Sequence, residues 1–199
     1  MAKPKIDKRH HIIESAAKTF AKTGFARCTV SEIAKDADIG KGTVYEYFSS
    51  KEDLFFAVFE WVITHSWHSA SASASLHGKS CIEKLNALSD SQFDYWEKHK
   101  DMYVLVLEFW AASGASKTGD RFSEAFKEIY RMYRSLIKEL IREGIEKKEF
   151  KSDIDADAIA ASLLGAFDAL LLQTWFDDAL DPKNAAQKML DSLFYGIGR

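Results

Sequence analysis

Proline is nearly missing from this chain of 199 residues: Pro4 and Pro182 are its only two. A proline inside a helix removes a hydrogen bond and clashes with the preceding turn. Without it, helices run long, and Ala, Leu, Lys and Glu, all good helix formers, are abundant. Apolar residues recur at steps of three and four along most of the chain, with no convincing strand and no internal repeat. The expectation is an all-α fold of about nine helices.

Ile13, Ala16, Ala17, Phe20 and Ala21 predict a first helix over 8–23, stopped by Gly24. Thr29 and Glu32 form a T-x-x-E capping box opening a short second helix that ends near Asp38. Gly40 is read as the tight-turn residue, and a third short helix begins at Lys41 or Gly42. Val44 and Phe48 share its inward face, so Tyr45 and Tyr47 point elsewhere. Ser49 with Glu52, or Ser50 with Asp53, caps a longer fourth helix carrying Leu54, Val58, Trp61 and Val62 as a stripe.

The small-residue run SASASASLHGKS, 69–80, is the clearest break in the pattern, favouring a loop or a frayed helix end. Two helical segments follow, then a second loop over 114–120. A long helix over 121–148 carries Phe122, Phe126, Ile129, Tyr133, Leu136, Leu140 and Ile141 on one side. Residues 155–176 are apolar nearly all round, the pattern of a helix covered on more than one side. Asp181-Pro182 opens the last helix, with Ala185, Met189, Leu190, Leu193, Phe194 and Ile197 as its stripe.

Charge is uneven. Residues 1–51 hold ten Lys/Arg against six Asp/Glu, and the rest hold seventeen against twenty-four. A basic head on an acidic body suits a polyanion met by the head alone. No run of about 18 uncharged apolar residues appears, so no membrane span is expected. The basic N-terminus has no apolar stretch or cleavage site of a secretory signal. Cys28 and Cys81 are too few for a disulfide framework or a zinc site, and a cytoplasmic location is the expectation. His65 and His68, at i and i+3, are too few to hold a metal ion, and no cofactor is expected.

The segment DIGKGTVYEYF, 38–48, has two chemical readings. A phosphate-cradling loop needs G-x-x-x-x-G-K-[ST] after a buried strand. Here Gly40-Lys41 is followed by Gly42, five residues before Gly40 stands Lys35, and the preceding segment is an amphipathic helix. A helix-turn-helix needs a short scaffold helix, a turn of three or four residues, and a second short helix with an exposed polar face. Residues 29–38, 39–41 and 42–48 fit that plan. A glycine at the start of the second helix lets backbone approach a base edge or phosphate closely.

The run GFARCTVSEIAKDADIGKGTVYEYFSSKEDLF, 24–55, resembles the DNA-binding region of the TetR family of bacterial transcription regulators. The match lies in Gly-Phe after the first helix, Thr-Val-x-x-Ile-Ala, Gly-Lys-Gly-Thr-Val-Tyr, Tyr-Phe-x-x-Lys and Asp-Leu-Phe. It is strong over roughly the first 55 residues; beyond them only helical length and order agree. The resemblance implies a three-helix DNA-binding domain over 1–50 and a helical effector-binding and dimerisation domain over 51–199. It implies that Gly42, Thr43 and Tyr45 face the major groove and that Lys41 touches a phosphate or base. Tyr47 and Lys51 would bond phosphates, and Thr29 would cap its helix and offer its hydroxyl or amide to phosphate. Glu46 departs from the pattern: it accepts from a cytosine amine or points away.

All five tryptophans lie outside the head. Aromatic walls suit an apolar or planar ligand, and position within the resemblance makes Phe93, Trp96, Met102, Trp110, Tyr133, Phe167 and Leu171 the expected effector lining. The last two helices resemble the family's dimerisation pair, with Leu163, Leu164, Leu170, Leu171, Leu190, Leu193 and Phe194 at the interface. A homodimer would set the spacing of two recognition helices, so the double-stranded DNA operator would be a near-palindrome. A small apolar or aromatic effector would release it, the action of a repressor.

An enzyme would need a convergent acid, base or nucleophile, and no G-x-S-x-G, H-E-x-x-H or Cys/His constellation occurs. A helical adaptor would share the amphipathic pattern without needing the glycine-lysine-tyrosine face.

Overall fold

The computed structural model describes residues 7–75, 77–114 and 119–196. These residues form nine α-helices and no strand: α1 Lys8–Thr23, α2 Val30–Asp36, α3 Lys41–Tyr47, α4 Lys51–Ala74, α5 Cys81–Lys98, α6 Lys100–Ser113, α7 Gly119–Glu146, α8 Ala156–Gln173 and α9 Pro182–Tyr195. Ile197, in the expected stripe of α9, lies outside the described residues, as do 115–118 of the expected loop before α7.

The helix ends follow local chemistry. Asp7 accepts from the N–H groups of Arg9 and His10 at the start of α1, and Gly24 closes that helix at φ 78°. Thr29 and Glu32 make a complete capping box on α2. Ser50 Oγ accepts from Asp53 N–H at 3.0 Å to open α4. Asp155 and Asp181 cap α8 and α9, with Pro182 in the first turn of the latter.

One local expectation is corrected. Gly40 is not the residue that bends the turn: it sits at φ −71° and ψ 144°, extended backbone open to any residue. The left-handed conformation falls on Asp38, φ 51°, a residue type whose short polar side chain tolerates it. Of the two readings of the run 69–80, a loop or a helix end, the helix end describes its first half, since α4 continues to Ala74. Alanine is the best helix former, and the serines turn back onto the helix: Ser71 Oγ donates to His68 O at 3.3 Å and Ser75 Oγ to Ser71 O at 2.9 Å.

The chain divides into two compact units, one of Met1–His65 with His99–Phe126, the other of Ser66–Lys98 with Lys127–Arg199. This differs from a break at 50/51. The first turns of α4, all of α6 and the first turns of α7 pack with the N-terminal helices, because phenylalanines from each of them meet. Phe55 lies 5.1 Å from Phe20, 4.3 Å from Phe25 and 4.8 Å from Phe109, and Phe59 lies 5.5 Å from Phe122 (ring centroids). In the second unit the core gathers Leu85, Leu88 and Phe93 of α5, Ile137, Leu140 and Ile141 of α7, Leu163 and Phe167 of α8 and Leu190 of α9. Both cysteines are buried and unpaired.

Candidate nucleic-acid interface

The third helix is held by its inner face alone. Val44, at 1 % exposure, and Phe48, at 3 %, enter the core of the first unit, while Tyr45 and Tyr47 stand out at 47 % and 41 %. Lys41 and Gly42 are exposed and Thr43 is half-buried. Lys41 Nζ lies 5.9 Å from the Tyr45 ring centroid, so cation and ring share one outward face. Glu46 is exposed beside them.

Neither glycine of this helix start is required by the fold. A Cβ on Gly42 would meet nothing within 4 Å, and one on Gly40 would find only Thr43 Oγ1 at 3.9 Å. Inside a helix, glycine costs roughly 0.5–1 kcal/mol relative to alanine.

Two of the seven expected DNA-contacting residues are otherwise engaged. Lys51 Nζ donates to Phe25 O at 2.8 Å and to Cys28 O at 3.0 Å, and lies 4.4 Å from the Phe25 ring centroid. It is a cross-link to the α1–α2 link, half-buried, with two of its three ammonium protons engaged. Thr29 gives both its N–H and its hydroxyl to Glu32 Oε2, each at 2.8 Å, which leaves no Thr29 proton for a phosphate. The Thr29 hydroxyl and N–H in turn hold the Glu32 carboxyl below its ordinary value. The outward set is therefore Lys41, Gly42, Thr43, Tyr45 and Tyr47.

The expected effector lining divides between the units. Met102 and Trp110 belong to the first. Phe93, Trp96, Tyr133, Phe167 and Leu171 belong to the second, where Phe93, Trp96 and Phe167 are at most 9 % exposed. Phe93 and Phe167 meet edge to face at 5.9 Å, and Tyr133 and Leu171 pack against the same core. Sequence spacing did not anticipate the polar groups among them. Ser66 Oγ donates to Gln92 Oε1 at 2.9 Å and shares a 3.0 Å hydrogen bond with Tyr133 OH, while Tyr130 OH donates to Asp168 Oδ2 at 2.8 Å. Burial pushes the Tyr133 phenol up to about 12 and raises the Asp168 carboxyl. A separate groove of about 400 Å³ is lined by Trp67, Glu128, Arg131, Met132, Ser135, Leu136 and Glu139, none of them an expected effector residue. Among the described residues no group of three or more His, Cys, Asp or Glu is placed to hold a metal ion.

The expected dimer residues are also sorted. Leu163, at 3 % exposure, and Leu190, at 0 %, lie inside the chain's own core and cannot meet a second copy. Leu164, Leu170 and Leu171 are half-buried. Phe194 stacks on Phe150 at 4.9 Å. Leu193 is 41 % exposed. The apolar α8 is long and apolar enough to cross a membrane by length and composition, and only 22 % of it is buried.

A three-helix head that plants its third helix by one face and turns cation, glycine and tyrosines outward is the build of a helix-turn-helix DNA-binding protein. Comparison with known proteins carries this further. The profile of bacterial regulatory proteins of the tetR family matches residues 12–58, and that of the BetI-type transcriptional repressor C-terminal region matches residues 82–194. The chain belongs to the TetR family of bacterial transcriptional regulators. It is 37 % identical over 102 residues, 51 % of its own length and 35 % of the relative's, to the uncharacterized HTH-type transcriptional regulator YerO of Bacillus subtilis (strain 168). It is 34 % identical over 106 residues to YvdT of the same organism, covering 53 % of this chain and 54 % of that one. The chain thus spans between about a third and about half of these two curated relatives. The fold is shared with a transcriptional regulator FadR from Bacillus subtilis solved in complex with stearoyl-CoA, at TM-score 0.79 and 23 % identity over 95 % of this chain and 99 % of that one.

Proposed function

We propose that the protein is a ligand-responsive repressor that binds a near-palindromic double-stranded operator as a homodimer and is released by a small apolar or aromatic effector. The observation that carries the DNA reading is Gly42. It occupies an exposed helix position where the fold has open space and no need of glycine, and its lack of a side chain serves close approach by something outside the chain. Lys41, Thr43, Tyr45 and Tyr47 surround it with donors suited to phosphates and base edges.

The homodimer reading rests on α8, where Ala160, Leu163 and Phe167 are buried in the chain's own core and Leu164, Leu170, Leu171 and Leu172 are left half-exposed. Two copies paired through α8 and α9 would cover those four and would fix the spacing of two recognition helices. The effector reading rests on the second unit, where the Ser66–Gln92–Tyr133 hydrogen bonds lie beside the edge-to-face Trp67–Tyr133 pair. The FadR structure lends its fold, not its ligand. Effector binding would favour one conformation of that unit, and α4, continuous from Lys51 to Ala74, would carry the change to the head. The coupling can be no larger than the effector's preference for one state over the other. A cytoplasmic location follows from this reading.

The test is Gly42→Ala, assayed on a duplex that the wild-type protein selects from a random pool. The variant should unfold at a higher temperature, because alanine stabilises helix by up to about 1 kcal/mol where its Cβ fits. It should bind the selected duplex at least tenfold more weakly, a loss of about 1.4 kcal/mol or more. Unchanged binding by the stabilised variant would remove the reading.

A further inference from the structure

The link between α1 and α2 is gripped from two sides at a single residue. Phe25 N–H donates to both oxygens of Glu108 on α6, at 3.1 and 2.9 Å. Phe25 O accepts from Lys51 Nζ of α4 at 2.8 Å. An anion on one helix and a cation on another thus hold the N–H and the carbonyl of one residue, and charge-assisted bonds of this kind are the stronger class. The Phe25 ring is also fixed, stacked on Phe55 at 4.3 Å with 29° between the planes.

The residue before it is shaped for this contact. Gly24 sits at φ 78°, and a Cβ there would lie 3.0 Å from Glu108 Oε1. Glycine therefore serves both the backbone conformation and the close approach of the carboxylate. On the other side, Cys28 O also accepts from Lys51 at 3.0 Å, and the next residue, Thr29, is the N-cap of α2. The clamp ends where the helix-turn-helix begins.

α6 stands in the chain between the two segments of the second compact unit, yet packs with α1 in the first. We infer that Glu108 is a positioning residue for DNA reading: by holding Phe25 against α6 it sets where α2 and α3 stand. The clamp makes α6, not α4 alone, an element to which the placement of the recognition helix answers. This rests on α3 being the DNA-reading helix, and the test separates the two ideas.

The experiment uses the full chain with Glu108→Ala and Glu108→Gln. Amide hydrogen exchange is followed in residues 29–48 and, as internal control, in 160–190. The same proteins are titrated with a duplex selected from a random pool by the wild-type protein and with an unrelated duplex at low salt. The alanine variant should exchange about tenfold faster or more across 29–48, with 160–190 unchanged. It should lose about tenfold in affinity for the selected duplex and keep its affinity for the unrelated one, whose binding is electrostatic and tolerant of position. Glu108→Gln keeps one acceptor for Phe25 N–H and should recover most of both. Glu108→Asp, which draws the carboxylate back by one methylene, gives the same reading should the alanine variant not fold. Normal exchange across 29–48 with unchanged duplex discrimination overturns the positioning role and leaves the bonds as a local anchor. If the wild-type protein selects no duplex, the DNA reading falls, and the exchange pattern still decides the clamp.

Discussion

Arg121 and Asp53 join α7 to α4 through one carboxylate that also closes the start of α4. Arg121 Nη1 donates to Asp53 Oδ1 at 3.1 Å, and Asp53 Oδ2 accepts from Ser49 N–H at 3.1 Å and from Ser49 Oγ–H at 3.3 Å. The guanidinium rests over the Phe56 ring, 3.6 Å from its centroid. Burial works to raise the Asp53 carboxyl, but the Ser49 N–H, the Arg121 guanidinium and the Ser49 hydroxyl outweigh it and hold it below its ordinary value.

A depressed carboxyl contributes stability that is complete above its unfolded pKa, about 4, and is lost as pH falls through the lower folded value. Asp53→Asn should therefore be less stable than the wild type at pH 7, and the gap should shrink as pH drops below about 4. Urea unfolding at pH 7 and near pH 3 measures it. An equal gap at both pH values would mean that the carboxylate's charge is not what stabilises.

Lys51 and Lys41 should separate cleanly. Lys51→Ala removes two charge-assisted bonds to Phe25 O and Cys28 O and should cost about 1.5–3 kcal/mol of stability, with little change in the salt dependence of DNA binding. Lys41→Ala should leave stability alone and reduce the salt slope by about one per subunit. Denaturation curves and binding titrations across salt give both numbers. A full unit lost from the slope in Lys51→Ala would return that lysine to the phosphate-binding set.

Gly144 is a packing glycine. A Cβ there would overlap the Phe150 ring at 2.2 Å, and Gly144 O accepts from Glu149 and Phe150 N–H at the close of α7. Gly144→Ala should destabilise by about 1–3 kcal/mol through overpacking, despite alanine's higher helix propensity. Stabilisation in thermal unfolding would contradict this.

The paired-copy proposal makes Leu190 and Leu193 behave differently although they share one helix. Leu190→Ala should cost about 2–5 kcal/mol of folding stability by opening a cavity. Leu193→Glu should keep the protomer's core and shift sedimentation from two chains to one. A Leu193→Glu protein that still sediments as a dimer would place the interface elsewhere.

The helices were largely legible because their ends are written in short-range chemistry. The Thr29–Glu32 box, the Gly24 stop and Asp181-Pro182 all act within a few residues. Inward Val44 and Phe48 and outward Tyr45 and Tyr47 follow from the helical period alone. The turn is not legible in the same way, because aspartate, like glycine, enters the left-handed region, and nothing local decides that Asp38 rather than Gly40 does so. Glu108 was invisible for a different reason: its partner Phe25 is 83 positions away, and nothing local marks a carboxylate that will bind a distant backbone N–H. The same holds for Arg121 with Asp53. Leu163 and Leu190 looked like interface because a stripe records that a face is apolar, not whether the chain itself or a second copy covers it.

The two thiols have a practical consequence. Cys28 and Cys81 are at most 2 % exposed, and burial first of all pushes both upward in pKa, so neither presents reactive thiolate near neutral pH. A maleimide dye will report a single engineered surface cysteine on the native chain without either natural one being removed. Placed on α3, such a probe follows the distance between two copies' heads by fluorescence transfer, with the protein's interior left as it is.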